Sequence, residues 1–119
     1  MYSISEVSKT LGVTTHTLRY YEKEKIIDPK RDENRIRSYS DEDVKWLRFV
    51  MKLKQTQMPI AQIREYARLF IEGEHTVGSR LKLLENHRKA IHDQIKTLKA
   101  TEEMLDYKIG AYKEFIENR

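Results

Sequence analysis

Four side chains in the first quarter of the chain share both a spacing and a chemistry. His16, Arg19, Tyr20 and Lys23 stand at i, i+3, i+4 and i+7, so a single helical face would carry all four. Each can donate a hydrogen bond or carry positive charge. Such a face suits a major groove, where phosphates line the rim and base-edge acceptors line the floor. The bland alternative is an ordinary solvated helix face, and the surrounding elements weigh between the two.

Other chemistries lack their residues. With no cysteine in 119 residues, disulfides, thiolate metal sites and cysteine redox chemistry are excluded together. His87 and His92 are five apart, which misses the i, i+4 spacing that puts two ligands on one helical face. Glu72-Gly73-Glu74-His75 is not a zincin motif. No segment concentrates a nucleophile–base pair or a clustered acid pair. No catalytic residue, metal ligand or cofactor is therefore assigned, and the reading is of a protein that is not an enzyme.

The elements that must position the four donors begin at Ser3-Ile4-Ser5-Glu6, a capping box that opens a short helix with Ile4, Val7 and Leu11 on one face. Gly12 stops it, and Thr14 opens a second helix running to about Lys25. Two helices joined by three or four residues around a glycine describe a helix-turn-helix. On the second helix Thr14, Thr17, Leu18 and Tyr21 form the side that packs on the first. Pro29 and Asn34 then mark turns between two β-capable runs, Ile26 to Pro29 and Arg35 to Tyr39, which predicts a small hairpin. With a period of two, Arg35, Arg37 and Tyr39 would share one strand face, fitted for backbone contacts or, more plainly, a charged edge that blunts aggregation.

Ser40-Asp41-Glu42-Asp43 starts a third helix, to about Gln57, packing through Val44, Leu47, Val50 and Met51 with Trp46 and Phe49 at its flanks. Pro59 fits the first position of a fourth helix that buries Ile60, Ile63, Ala67 and Phe70. Tyr66 and Phe70 are candidates for lining an effector pocket against the next helix. After a polar linker over residues 73–78, Leu84, Ile91, Leu98, Leu105 and Tyr112 recur every seven residues. A companion set is offset by four: Leu81, Arg88, Ile95, Glu102, Ile109 and Ile116. This is a coiled-coil seam on a helix about 60 Å long, which predicts dimerisation. Arg88 and Glu102 lie symmetrically about Ile95, so an antiparallel homodimer pairs them, whereas a parallel one sets like charges face to face.

The whole composition agrees with a small, mainly α protein. Apolar residues make up 39% and aromatics 9%, a low apolar share for a self-contained globule, so a partner chain should cover part of the surface. The division expected is 1–72, 73–78 and 79–119. Net charge is +4, with 12 Lys/Arg against 9 Asp/Glu in residues 1–58 and 11 against 10 in residues 59–119. That weak N-terminal excess fits a few phosphate contacts rather than a coated polyanion. No apolar run approaches about 20 residues, and Met1 to Glu6 lacks a basic-then-apolar leader, so a cytoplasmic protein without membrane association is expected.

At this point a family resemblance enters. Gly12-Val13-Thr14-Thr15-His16-Thr17-Leu18-Arg19-Tyr20-Tyr21-Glu22 resembles the Gly-Val-Ser/Thr-x-x-Thr-Leu/Ile-Arg-Tyr/His-Tyr/Trp-Glu/Asp segment of the MerR family of bacterial transcription regulators. Ile26-Ile27 with Pro29, and Arg37-Ser38-Tyr39-Ser40 followed by Asp43-Val44, are similar to its post-helix and wing segments. The resemblance implies a winged helix-turn-helix head, a helix pair and a long antiparallel dimerisation helix. It also implies a homodimer on an inverted repeat within promoter DNA, distorting that DNA so that RNA polymerase can engage it. By position it implies DNA contacts from Thr15, His16, Arg19, Tyr20 and Tyr21 in the second helix, Arg37 and Tyr39 in the wing, and Lys54. Lys23 and Arg35 join these from the donor stripe and the strand. The family's cysteine metal ligands are absent, its usual glycine before the Pro59 helix is replaced by Gln57, and no separate ligand-binding domain is expected. A coiled-coil adaptor and a DNA-architecture factor are the competing readings.

Overall fold

Local capping sets the first two helices of the computed structural model, which describes all 119 residues. Helix α1 (Ile4–Leu11) opens at Ser3: the Glu6 N–H donates to the Ser3 hydroxyl at 3.1 Å and the Ser3 N–H donates to the Glu6 carboxylate at 3.0 Å. Two backbone donors that a helix start leaves open are thereby satisfied. Gly12 closes the helix in the left-handed region, φ 69°, where a side chain would be strained. The Ser8 hydroxyl donates to the Val13 carbonyl across the turn. Thr14 then caps helix α2 (Thr15–Lys23) by accepting from the Thr17 N–H at 3.0 Å. Val7 and Leu11 of α1 and Leu18 and Tyr21 of α2 are buried together in the core.

Helix α2 ends two residues earlier than its sequence predicts. Glu24 is its C-cap and Lys25 turns to φ 61°. The hairpin also differs from expectation. Its strands are β1 (Lys30–Arg31) and β2 (Arg37–Ser38), antiparallel, with Lys30 opposite Ser38 and Arg31 opposite Arg37. The run at Ile26–Pro29 is not a strand: Ile26 and Ile27 are core residues, and the Trp46 indole N–H donates to the Ile26 carbonyl at 2.8 Å. Arg35 belongs to the turn rather than the strand, at φ 62°, where Asp32 accepts from the N–H groups of Asn34 and Ile36. A backbone bridge between Tyr2 and Tyr39, 2.8 Å in both directions, lays the N-terminus beside β2.

Helix α3 (Asp41–Gln55) has a second capping box, Ser40 with Asp43, and buries Leu47, Val50 and Leu53. Helix α4 (Ile60–Glu72) starts one residue after Pro59, which is its N-cap at ψ 142° rather than its first helical residue. Ile63, Ala67 and Leu69 are its buried positions. Phe70, expected inside, is 60% exposed. Its ring instead stacks near Trp46 at 6.3 Å and lies under the Arg80 guanidinium at 5.3 Å. The stretch expected as a linker holds a single 3-10 turn, Glu74–Thr76, and the first residues of helix α5 (Val77–Glu117), so Gly78 is helical. Thr76 is buried, with its hydroxyl 2.6 Å from the Leu69 carbonyl.

The chain forms two compact units, Met1–Leu83 and Leu84–Arg119. The first holds the core just described. The second is helix alone, and along it Ile95, Leu98, Leu105, Ile109 and Tyr112 are 47–69% exposed. Arg88 and Glu102 are exposed, while Leu84 and Ile91 are half-buried. No helix is long and apolar enough to cross a membrane.

Gln57 occupies a position that favours glycine. It joins α3 to α4 at φ 70°, its N–H donating to the Lys54 carbonyl at 3.0 Å. A side chain in the left-handed region costs roughly 1–2 kcal/mol, less the entropy that glycine gives up on ordering. Gln57→Gly is expected to stabilise the fold by about 1 kcal/mol, seen as a higher urea midpoint at unchanged slope. A lower midpoint would show that the glutamine side chain holds the turn.

Candidate nucleic-acid interface

Capping and packing leave one face of α2 open. Leu18 and Tyr21 point into the core, and His16, Arg19, Tyr20 and Lys23 are all exposed, as their spacing predicts. Thr15 is half-buried at the first turn and accepts from Arg19 Nη1 at 3.3 Å. Tyr20 and Tyr21 are ring neighbours, 6.1 Å apart, but on different sides of the helix: Tyr20 is 40% exposed and Tyr21 6%. Burial pushes the Tyr21 phenol above its ordinary value, so it stays protonated and able to donate.

Both flanks of this helix are tied by arginines. At its C-terminal end Arg64 of α4 donates from Nε to the Glu24 carbonyl at 3.1 Å, and its guanidinium also grips the Glu24 carboxylate. A cation on the last carbonyls complements the helix dipole. At its edge Glu22 holds the hairpin. Its Oε1 accepts from Arg37 Nε at 2.6 Å and its Oε2 from Arg31 Nη2 at 2.9 Å, while Arg31 Nη1 donates to the Arg35 carbonyl at 3.1 Å. Partial burial opposes ionisation of Glu22, but the hydrogen bonds from Arg37 and Arg31 outweigh it and hold the carboxyl below its ordinary range.

The strand face expected to carry Arg35, Arg37 and Tyr39 together does not exist. Arg35 is exposed in the turn, Arg37 is half-buried against Glu22, and Tyr39 is fully buried. Tyr39 sits on β2's continuation against the core: its backbone is engaged by Tyr2 and its side chain belongs to the hydrophobic cluster. Its hydroxyl has no hydrogen-bond partner. Sequence reasoning gave no role to Glu22 or Arg31. An acid beside a stripe of donors was the available signal for Glu22; Arg31 had none, because its neighbour is set by strand register.

Lys54 is exposed on the last turn of α3. It lines a cleft of about 740 Å³ with Tyr21, Arg48 and Lys52, so three cations flank the buried tyrosine. Arg48 and Lys52, one helical turn apart, were also unassigned from sequence. A larger cleft, about 840 Å³, is lined by Ile26, Ile27, Trp46, Ala67, Phe70 and Ile71 with charged residues at its rim. Phe70 belongs to it, whereas Tyr66 stacks on Trp46 at 5.7 Å outside its lining.

A family model described as MerR HTH family regulatory protein matches residues 2–69, which contain the helix-turn-helix, the hairpin and most of the helix pair. The chain belongs to the MerR family. A second model, MerR DNA binding, matches residues 44–107. Among relatives of this MerR-family chain, an uncharacterized HTH-type transcriptional regulator of Haemophilus influenzae is 35% identical over 112 residues, covering 93% of this chain and 83% of that protein. The HTH-type transcriptional regulator AdhR of Bacillus subtilis is 39% identical over 90 residues, covering 75% of this chain and 64% of AdhR. The crystal structure of HiNmlR, described as a MerR family regulator lacking the sensor domain and bound to promoter DNA, superposes with a TM-score of 0.88 at 34% identity. It covers 95% of this chain and 90% of that one. Each of these relatives is named as a regulator.

The buried Tyr39 hydroxyl yields a test. A polar group desolvated without a partner costs about 1–3 kcal/mol, and phenylalanine keeps the ring. Tyr39→Phe is expected to raise stability by about 1 kcal/mol in thermal or urea unfolding. A loss of stability would reveal a partner for the hydroxyl.

Proposed function

We propose that this MerR-family chain is a sequence-specific, DNA-binding transcription regulator that works as a homodimer on an inverted repeat in a promoter. The observation that carries the reading is the outward stripe His16, Arg19, Tyr20 and Lys23 on a helix pinned at its start, its end and its edge. In each head α2 lies in a major groove, with Thr15 at its entry and His16 and Arg19 toward the base edges. Lys23, Arg35, Arg37 and Lys54 contact phosphates, which set register without reading sequence. Tyr21 and Tyr39 support these contacts from inside, and Tyr21 lines the cleft it shares with Arg48, Lys52 and Lys54. The promoter-DNA complex of HiNmlR supports this mode.

The dimer rests on a separate observation, the apolar seam of α5 left open to water. A second copy covers it through Leu84, Ile91, Ile95, Leu98, Leu105, Ile109 and Tyr112. Antiparallel pairing sets Arg88 of one copy against Glu102 of the other and holds two heads at a fixed separation. That spacing selects a pseudo-palindrome and allows the DNA between half-sites to be bent and untwisted, which is how the protein acts on RNA polymerase without touching it. The setting is the bacterial cytoplasm, and residues 79–119 serve dimerisation while 1–72 serve DNA.

Two experiments test this. With a duplex selected from a random-sequence pool, Arg37→Ala is expected to weaken binding to that duplex and to its single-base variants alike and to lower the salt slope by about one. His16→Ala is expected instead to change base preference at one position per half-site, by about 1–3 kcal/mol. Identical behaviour of the two mutants across sequences would refute the division between phosphate and base contacts. For the dimer, single cysteines placed at 88 and 102 and mixed should cross-link as 88–102 pairs; efficient 88–88 bridging alone would overturn the antiparallel order.

A further inference from the structure

The hairpin register places Arg31 directly opposite Arg37. Like charges at such a cross-strand position repel. The carboxylate that resolves the conflict comes from α2, not from the hairpin: one Glu22 oxygen takes each guanidinium. The manner of the grip is specific. Arg37 is bound to Glu22 only through Nε, so the four N–H groups of its two terminal nitrogens make no hydrogen bond within the chain. Arg31 is consumed on both sides, by Glu22 and by the Arg35 carbonyl. Glu22 therefore leaves the terminal nitrogens of one arginine without a partner and spends the other as a strut to the turn.

We propose that Glu22 is a positioning residue that couples the reading helix to the wing. It fixes Arg37 in one orientation for a phosphate and at the same time screens the wing's positive charge. This inference rests on the DNA-binding reading above and deepens it. A long, free arginine samples many rotamers and would capture any phosphate in reach. Held from Nε by a carboxylate on α2, its terminal nitrogens reach a phosphate only where α2 is correctly seated. Register on the DNA and sequence reading then become one event. The negative charge of Glu22 also subtracts from the non-specific attraction that any duplex exerts on Arg31 and Arg37. One acidic side chain thus raises selectivity twice, by orientation and by charge.

Glu22→Gln separates these effects from simple loss of fold. It keeps one acceptor oxygen and the side-chain length while deleting the charge. The probes are a duplex selected by the wild-type protein from a random pool and a shuffled duplex of equal length. For the variant, the salt slope on the shuffled duplex is expected to steepen by about one, so its advantage over wild type grows about 4-fold between 200 and 50 mM salt. The ratio of selected over shuffled affinity is expected to fall about tenfold, the scale of one misplaced directional contact. Without DNA, the Arg37 Nε–H group should be rigid by heteronuclear relaxation in wild type and mobile in the variant. Glu22→Asp, which keeps the charge but shortens the reach, should retain the wild-type slope while losing the rigidity of Arg37. If Glu22→Gln is poorly folded by circular dichroism, Glu22→Asp carries the relaxation test. Unchanged slope, ratio and Arg37 mobility would overturn the role of Glu22. Failure of the wild type to select any duplex would overturn the DNA-binding reading beneath it.

Discussion

Helix α2 has nine residues and only two buried side chains, Leu18 and Tyr21. That shortage governs the rest of the head. Burying two such side chains contributes a few kcal/mol at about 1.5–3 each, and a helix this short is marginal in water. A helix with a wide face uncovered gains no apolar contacts from that face. Its order has to come from its ends and its edge, and the structure supplies all three. Thr14 satisfies the open Thr17 N–H, Arg64 caps the last turn, and Glu22 locks the flank to the hairpin.

These ties share a logic of charge. A surface meant for a polyanion needs cations, and unrestrained cations repel one another and bind phosphates indiscriminately. The two acids near the end of α2, Glu22 and Glu24, each hold an arginine from another element. Each pair is partly exposed and modest in energy. Their value lies in direction: they join α2 to the hairpin and to α4 and keep the head's parts in one register. Trp46 adds a neutral tie, its indole N–H on the Ile26 carbonyl fixing the chain just beyond α2.

The long helix answers a different constraint. Its heptad residues are open along one stripe, and apolar area of that extent in water favours association. The head buries its own core, whereas the last third of the chain has none to bury. The head and the long helix thus differ in what they bury: the first covers its own apolar residues, and the second leaves its heptad stripe open.

Local rules explain what the sequence alone makes legible. Ser3, Thr14 and Ser40 cap because their hydroxyls reach an N–H three residues on, and the exposed donor stripe follows from 3.6 residues per turn. The heptads of α5 have the same origin, and the motif from Gly12 to Glu22 already pointed to the family. Features that depend on contacts distant along the chain were not legible. The strand boundaries moved because Ile26 and Ile27 were taken into the core, and Tyr39 turned inward because Tyr2 paired with its backbone. Phe70 stayed largely exposed while Leu69 went in, because the Phe70 ring lies on Trp46 at the surface and Leu69 sits beside the Thr76 turn. Gln57 took the left-handed turn that its type disfavours because the α3–α4 packing required the chain to reverse there. The sequence by itself determined where helices start, which stripes they carry and which stripe lacks a cover. Tertiary structure alone decided which charged side chains meet, since Glu22 reaches Arg37 and Glu24 reaches Arg64 only after elements 15 and 40 residues apart are packed together.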